Sequence, residues 1–285
     1  MHFHLVQIVS SKPNHHGLLG YREVIESIQW GLQALGHQVT TETNAMDLTA
    51  INIVFGIQMV SQEQLLALPD NTIIYNLEQF ARSTPEDQRP QVAVVAKRFQ
   101  VWDYTVENVA NWENLQPTHR PVHVPIGYAP ILARIPAREN PPIDVLFYGI
   151  PSIPRMETFY QICRKGMHAM FVCGLYGKDR DEMIERSKIV LNLNQYDQTR
   201  VFEIVRVSYL LANAKAVVSD LHPNTLVEPD MMDAVEFAST DKIADACWRL
   251  ISDNSARREL EQKGRAIFQK RDIRQILARA IQAIG

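Results

Sequence analysis

The sequence of 285 residues holds only three cysteines, Cys163, Cys173 and Cys247, widely spaced and odd in number. They form neither a disulfide framework nor a CxxC metal pair, so a reducing compartment, and with it a cytoplasmic location, is expected. No apolar run approaches the ~20 residues that span a bilayer. The opening Met1-His2-Phe3-His4-Leu5-Val6 has no basic n-region and no cleavage site of a secretory signal. Peripheral contact with a membrane surface stays open. A net charge of −3 supplies no global basic field for nucleic acid. Neither GxGxxG after the first apolar run, nor GxxxxGK[ST], nor GxSxG occurs; dinucleotide sites, ATP sites and a hydrolase nucleophile elbow are therefore disfavoured. With 46% hydrophobic and 21% charged residues the chain is core-forming, not disordered. Its length fits one large α/β domain or two of about 140 residues.

Residues 127–142 carry four prolines in sixteen positions and read as a linker. Residues 1–141 hold 9 Lys+Arg against 13 Asp+Glu, and residues 142–285 hold 20 against 19, so the second half suits an anion better. The expected organisation is a first domain over 1–126, the linker over 127–142, a second domain over 143–270 and a C-terminal helix over 271–285.

In the first half, Phe3–Val9, Val39–Thr43, Ile51–Ile57, Thr72–Tyr75 and Gln100–Trp102 read as strands. Val24, Ile25, Ile28, Leu32 and Leu35 recur at helical spacing up to Gly36, and Gln62–Leu68 and Thr105–Trp112 read as short helices. The second half repeats the plan. Strands are expected at Asp144–Tyr148, Ala169–Cys173, Ile189–Leu193, Ala216–Ser219 and Ala234–Ala238. Helices are expected at Met156–Arg164, Arg180–Ser187 and Arg200–Ala212, with further helices closing the chain. Alternation of this kind predicts two parallel sheets of Rossmann type, with ligands at the carboxyl ends of the strands and a cleft between the halves.

The most informative stretch runs from Ile189 to Asp220. A strand leads into the polar loop Asn194-Gln195-Tyr196-Asp197-Gln198-Thr199, and a helix starts near Arg200. The free N–H groups and positive dipole end of that helix make an anion site, to which Tyr196, Thr199 and Arg200 belong. Glu203 sits among apolar neighbours, so its carboxylate needs partners. It pairs with Arg206 on the same face, or it accepts hydrogen bonds from the hydroxyls of a sugar or ribose. Asp179-Arg180-Asp181 is a literal DxD, but it opens a helix, where aspartate favours the first turn. No metal ligand set is assigned.

This stretch resembles the C-terminal nucleotide-sugar domain of the group-1 glycosyltransferases, which have the two-Rossmann GT-B fold. Glu203 matches the glutamate that grips the donor in that family, and Ala212–Asp220 matches the small-residue segment and strand after it. Val235–Phe268 is similar to the family's closing strand and two helices. The likeness covers residues 144–270. Gln195 lies where the first of two paired glutamates would fall, and Asn213-Ala214-Lys215 stands where glycine is usual.

The resemblance implies donor binding by Gly149 and Arg155 after the first strand of the second half, and by Gly174, Tyr176 and Lys178 after the next. It implies acceptor or base roles in the first half for His15 and His16, and for Asn76 and Glu78. In an inverting reaction His16 or Glu78 would take the acceptor proton. By their position alone, Trp102, Tyr104 and Tyr128 either stack on sugar or base or pack where the first sheet ends and the linker begins.

The expected function is therefore metal-independent transfer of a sugar from a nucleoside-diphosphate sugar, a co-substrate rather than a cofactor, to a small-molecule, glycan or protein acceptor. The catalytic set is His16, Glu78 and Glu203. A nucleotide-sugar or partner-binding protein of the same fold without turnover is the rival.

Overall fold

The computed structural model describes residues 1–9, 16–79, 89–195 and 201–283, with the backbone alone at 16–18, 89 and 90. The chain forms two units, Met1–Gly127 with Asp272–Gly285, and Tyr128–Arg271, so it passes between them twice.

The first unit is built on strands β1 (His2–Gln7), β2 (Gln38–Thr43), β3 (Ile51–Phe55), β4 (Thr72–Asn76), β5 (Gln100–Asp103) and β6 (Val122–His123). They lie in the order β2-β1-β3-β4-β5-β6, and every neighbouring pair is parallel. The central strands are buried along their length, as a sheet with helices on both faces requires. Helices α1 (Arg22–Ala34), α2 (Gln62–Ala67), α3 (Arg89–Arg98) and α4 (Val106–Glu113) connect them. α1 buries Val24, Ile25, Ile28 and Leu32. Ser61 and Gln64 form a capping box at the start of α2. The C-terminal helix Ile273–Gln282 returns to this unit. It passes so close to α1 that a methyl group on Gly31 would lie 2.7 Å from the Leu277 side chain.

The second unit holds β7 (Ile143–Tyr148), β8 (Ala169–Val172), β9 (Ser187–Asn192), β10 (Ala216–Asp220) and β11 (Glu236–Ala238), ordered β11-β10-β9-β7-β8 and again wholly parallel. Its helices are α5 (Ile153–Arg164), α6 (Gly177–Glu185), α7 (Ile204–Ala212), α8 (Ile243–Ser252) and α9 (Asn254–Gln269). Val145, Phe147, Ile189, Leu191 and Val218 from the sheet close its core against Ile162, Ile243, Cys247 and Leu250 from α5 and α8.

In both sheets the first strand lies between the second and the third. Chain direction across the sheet therefore reverses at β1/β3 and at β7/β9, and loops leaving those strands part to opposite faces. In parallel sheets of this kind, the carboxyl ends of the strands at such a reversal point are where ligands bind.

Three features differ from expectation. α3 and the two-residue β6 carry too little periodicity to be read from sequence. α7 starts at Ile204 rather than Arg200, because Val201 bridges Leu226 in parallel and the Phe202 N–H donates to the Leu226 carbonyl at 3.1 Å. The proline-rich stretch lies on the second unit from Tyr128 onward. There Asn213 accepts from the N–H groups of Arg134 and Ile135 at 2.8 and 2.7 Å and donates to the Leu132 carbonyl at 2.9 Å.

Gly264 on α9 shows how tightly this unit is closed. A methyl group there would lie 2.6 Å from the Ala234 carbonyl oxygen and 2.9 Å from the Leu211 side chain. Gly264→Ala is expected to destabilise the second unit by about 2 kcal/mol, through overpacking against backbone that cannot give way. Urea denaturation checks this; unchanged stability would mean that α9 shifts freely. Among the described residues, no helix is long and apolar enough to cross a membrane.

Candidate functional site

The strand reversal of the second unit places the loop after β7 beside the loop after β9. Gly149 follows β7 with φ +152°, a conformation that glycine adopts without a side-chain clash. Arg206, in the first turn of α7, lies over this glycine. Its Nη2 is 3.4 Å from the point a Gly149 β-carbon would occupy, and its guanidinium carbon stands 5.8 Å from the Phe147 ring centre and 5.7 Å from that of Tyr148. The Nη1 of Arg206 is buried and, among the described residues, has no hydrogen-bond partner.

Two more polar atoms on the described parts of these loops are buried and have no partner among the described residues. They are Nδ2 of Asn194, which follows β9, and Oγ of Ser152, which follows β7. An unpaired buried donor costs about 1–3 kcal/mol, more when charged. Two such donors and an unpaired hydroxyl around one reversal point are suited to an oxygen-rich anion. The backbone of Asn194 is itself held, its N–H donating to both carboxylate oxygens of Asp220 at 3.1 and 3.0 Å. Burial raises the Asp220 carboxyl above the usual range, and the Asn194 N–H, His222 (Nε2 to Oδ2, 3.3 Å) and Arg155 oppose that shift.

Arg155 takes another role than the expected phosphate grip. Its Nε and Nη2 donate to the Leu193 carbonyl at 3.0 and 2.7 Å, and its Nη1 donates to the Ile150 carbonyl at 2.8 Å. A buried guanidinium must find acceptors, and these carbonyls tie the β7 loop to the β9 loop. Glu203 caps the start of α7 by position, but its side chain accepts no capping hydrogen bond, and it is half-buried. Tyr176 precedes α6, half-buried. Burial raises its phenol, and the nearby Arg206 and Arg180 charges counter that. Gly174 turns the chain at φ +73°, and Lys178 is exposed on the first turn of α6. In the DxD, Asp179 is exposed in the first turn of α6, and Asp181 accepts from Arg180 Nη2 and from the Tyr209 hydroxyl, both at 2.8 Å.

In the first unit, Glu78 follows β4. Its Oε1 accepts a hydrogen bond from the Tyr21 hydroxyl and one from Gln58 Nε2 at 3.2 Å. Tyr21 precedes α1 and Gln58 follows β3, so three loops at the carboxyl edge meet on this carboxylate. Asn76 donates to the Glu78 carbonyl at 2.8 Å and to Asp103 Oδ2 at 2.7 Å. Trp102 and Tyr104 are buried in the core and do not offer a stacking face. Tyr128 packs edge-on against Phe268.

No family model matches the chain. It is 23% identical over 193 residues to uncharacterized protein L140 of Acanthamoeba polyphaga mimivirus; the match takes in 67% of this chain and 62% of that protein. Solved structures resemble it over nearly its whole length. AviGT4, a glycosyltransferase involved in avilamycin A biosynthesis, is 14% identical and superposes with a TM-score of 0.61, covering 99% of this chain and 96% of its own. HepE from Anabaena, in complex with UDP-glucose, is 12% identical with a TM-score of 0.59, covering 98% and 99%. The chain has the GT-B fold.

Within this GT-B chain the structure gathers Gly149, Tyr176 and Glu203 around α7 and the β7 loop, and Asn76 with Glu78 on the first sheet. It leaves Lys178 at the surface. Tyr196, Thr199, Arg200 and His15 lie outside the described residues, as does the side chain of His16. Sequence reasoning missed Arg206 as a site cation because it sits three residues from Glu203, where a pairing arginine is ordinary. It also missed Ser152, Asn194, Tyr21, Gln58 and Asp103, which no motif marks. A polar residue directly after an apolar parallel strand was the available signal for Asn194 and Asp103.

Proposed function

We propose that the protein is a glycosyltransferase that moves a sugar from a nucleoside-diphosphate sugar to an acceptor hydroxyl, without a metal ion in the site, and works in the cytoplasm. The observation that carries this reading is the unpaired, buried Nη1 of Arg206 above Gly149 at the reversal point of the second sheet. A diphosphate laid there would meet the guanidinium, the Asn194 amide and the start of α7. As the sugar–phosphate bond breaks, negative charge gathers on the leaving diphosphate. A cation and dipoles already fixed in place stabilise that charge without reorganising. Glu203 accepts hydroxyl hydrogens of the donor. The first unit holds the acceptor, and in an inverting reaction Glu78 takes its proton. The likeness to AviGT4 and to the UDP-glucose complex of HepE supports the same reading.

A panel of nucleoside diphosphates and UDP-glucose tests it. A diphosphate present at a hundred times its Kd should stabilise the protein by about 2.7 kcal/mol, seen as a rise in melting temperature. The intact donor should slowly release nucleoside diphosphate, and Glu203→Ala should abolish that release. Stabilisation with no release from any nucleoside-diphosphate sugar would instead make this a binding protein, the alternative that Gln195 favours by standing in place of a glutamate.

A further inference from the structure

Asp103 ends β5, one strand across from β4, and its side chain is closed off from solvent. Its Oδ2 accepts from Asn76 Nδ2 at 2.7 Å and from Trp112 Nε1 at 2.9 Å. Its Oδ1 accepts from Asn108 Nδ2 at 2.9 Å and from the Thr105 N–H at 3.1 Å. The two amides reach further. Asn76 Nδ2 and Asn108 Nδ2 also donate to the backbone carbonyl of Glu78, at 2.8 and 2.9 Å, and the Glu78 N–H donates back to Asn76 Oδ1 at 3.3 Å. Each amide nitrogen has two hydrogens. One goes to the buried carboxylate and the other to Glu78, so the pair forms two struts of equal reach. Beyond the strutted carbonyl, the Glu78 carboxylate takes Tyr21 and Gln58.

A buried carboxylate that takes its four hydrogen bonds from neutral donors is an expensive way to fill a core position. Here it organises donors whose second hydrogens converge on one carbonyl. We infer that Asp103 is a positioning residue that fixes the Glu78 carboxylate, through Asn76 and Asn108, at the carboxyl edge of the first sheet. The inference rests on the proposed acceptor role of Glu78 for its functional meaning, though not for its structural test.

Burial pushes the Asp103 carboxyl up to about 7, against the pull of its four hydrogen bonds. Among the described residues, the titratable groups on the elements packed against it are Glu78 on the β4 loop, Glu107 on α4 and His123, its pair on β6. Protonation turns one acceptor oxygen into a donor. One of the four donors, the asparagine amides, the Thr105 N–H or the Trp112 indole, must then change partner, and the change should pass along the struts to Glu78.

Proton–nitrogen NMR of the full chain between pH 5 and 9 reads this directly. The Trp112 indole N–H and the Glu78 backbone amide are expected to shift together, with one midpoint near 7. In Asn108→Ala the indole should still titrate while the Glu78 response falls to less than half. The same variant should lose about tenfold in kcat/KM for acceptor with nucleoside-diphosphate affinity unchanged. An indole that titrates without Glu78, or neither group moving across the range, overturns the inference. Asp103→Asn should silence both signals, and if it does not fold, the wild-type and Asn108→Ala titrations still decide. Absence of UDP binding would instead remove the donor reading and leave this coupling standing.

Discussion

Replacing Arg206 with methionine is expected to weaken UDP or GDP binding by about a hundredfold or more, with little change in the stability of the free protein. Truncating one side of a buried charge-assisted contact costs about 2–5 kcal/mol, and each 1.4 kcal/mol is a factor of ten in affinity. Most arginines in folded proteins also hold their own structure together, so their loss confounds binding with stability. Arg206 differs in that Nη1 has no partner among the described residues to lose. Methionine keeps the long apolar stem and can still lie against the Phe147 and Tyr148 rings. Lysine should rescue only part of the affinity, since a point charge cannot reproduce a two-pronged grip. Calorimetric titration of wild type, Arg206→Met and Arg206→Lys checks the order. Equal affinities would place the diphosphate away from α7.

The largest effect on stability is expected at Asp103. Asp103→Ala withdraws the acceptor for Asn76, Thr105, Asn108 and Trp112 at once. Buried donors that lose their acceptor cost about 1–3 kcal/mol each. The two asparagine amides keep the Glu78 carbonyl, so a loss of about 3–4 kcal/mol is expected rather than the full sum. The pH dependence has a definite sign. The carboxyl stands at about 7 in the folded protein, above its unfolded value of about 3.9. The folded state therefore keeps a proton that the unfolded chain has released between those values. This group's contribution is fully present below about pH 4 and is lost as pH rises through 7. Asp103→Asn should flatten that slope. Urea denaturation at pH 5 and pH 8 on wild type and variant checks it; parallel changes in both would assign the slope to other groups.

The parallel strands were legible in the sequence because a strand buried on both faces is a short continuous apolar run, and β1, β7, β9 and β10 each contain one. The start of α7 was not. Val201 and Phe202 extend its apolar pattern, but their backbone pairs with Leu226, a contact from outside the window in which helical periodicity is read. Site residues failed for the same reason. Arg155 read as a free phosphate ligand because its acceptors are carbonyls, one of them 38 residues away, and a carbonyl has no signature in sequence. In sequence Arg206 read only as one alternative, a partner for Glu203, since only the fold brings it over Gly149. The network of Asp103 draws on a donor 27 residues before it and one 9 residues after it. Glu78 and Gly149 could be singled out because each follows a recognisable strand, the one place where local pattern and the position of a site coincide.

A crystal structure of the protein with UDP-glucose tests the central claim most directly. The account predicts the diphosphate at the carboxyl ends of β7 and β9, with a phosphate oxygen on Arg206 Nη1, the Asn194 amide nearby and the Gly149 backbone in contact. A diphosphate bound elsewhere, or Arg206 still unpaired beside an occupied site, would contradict it.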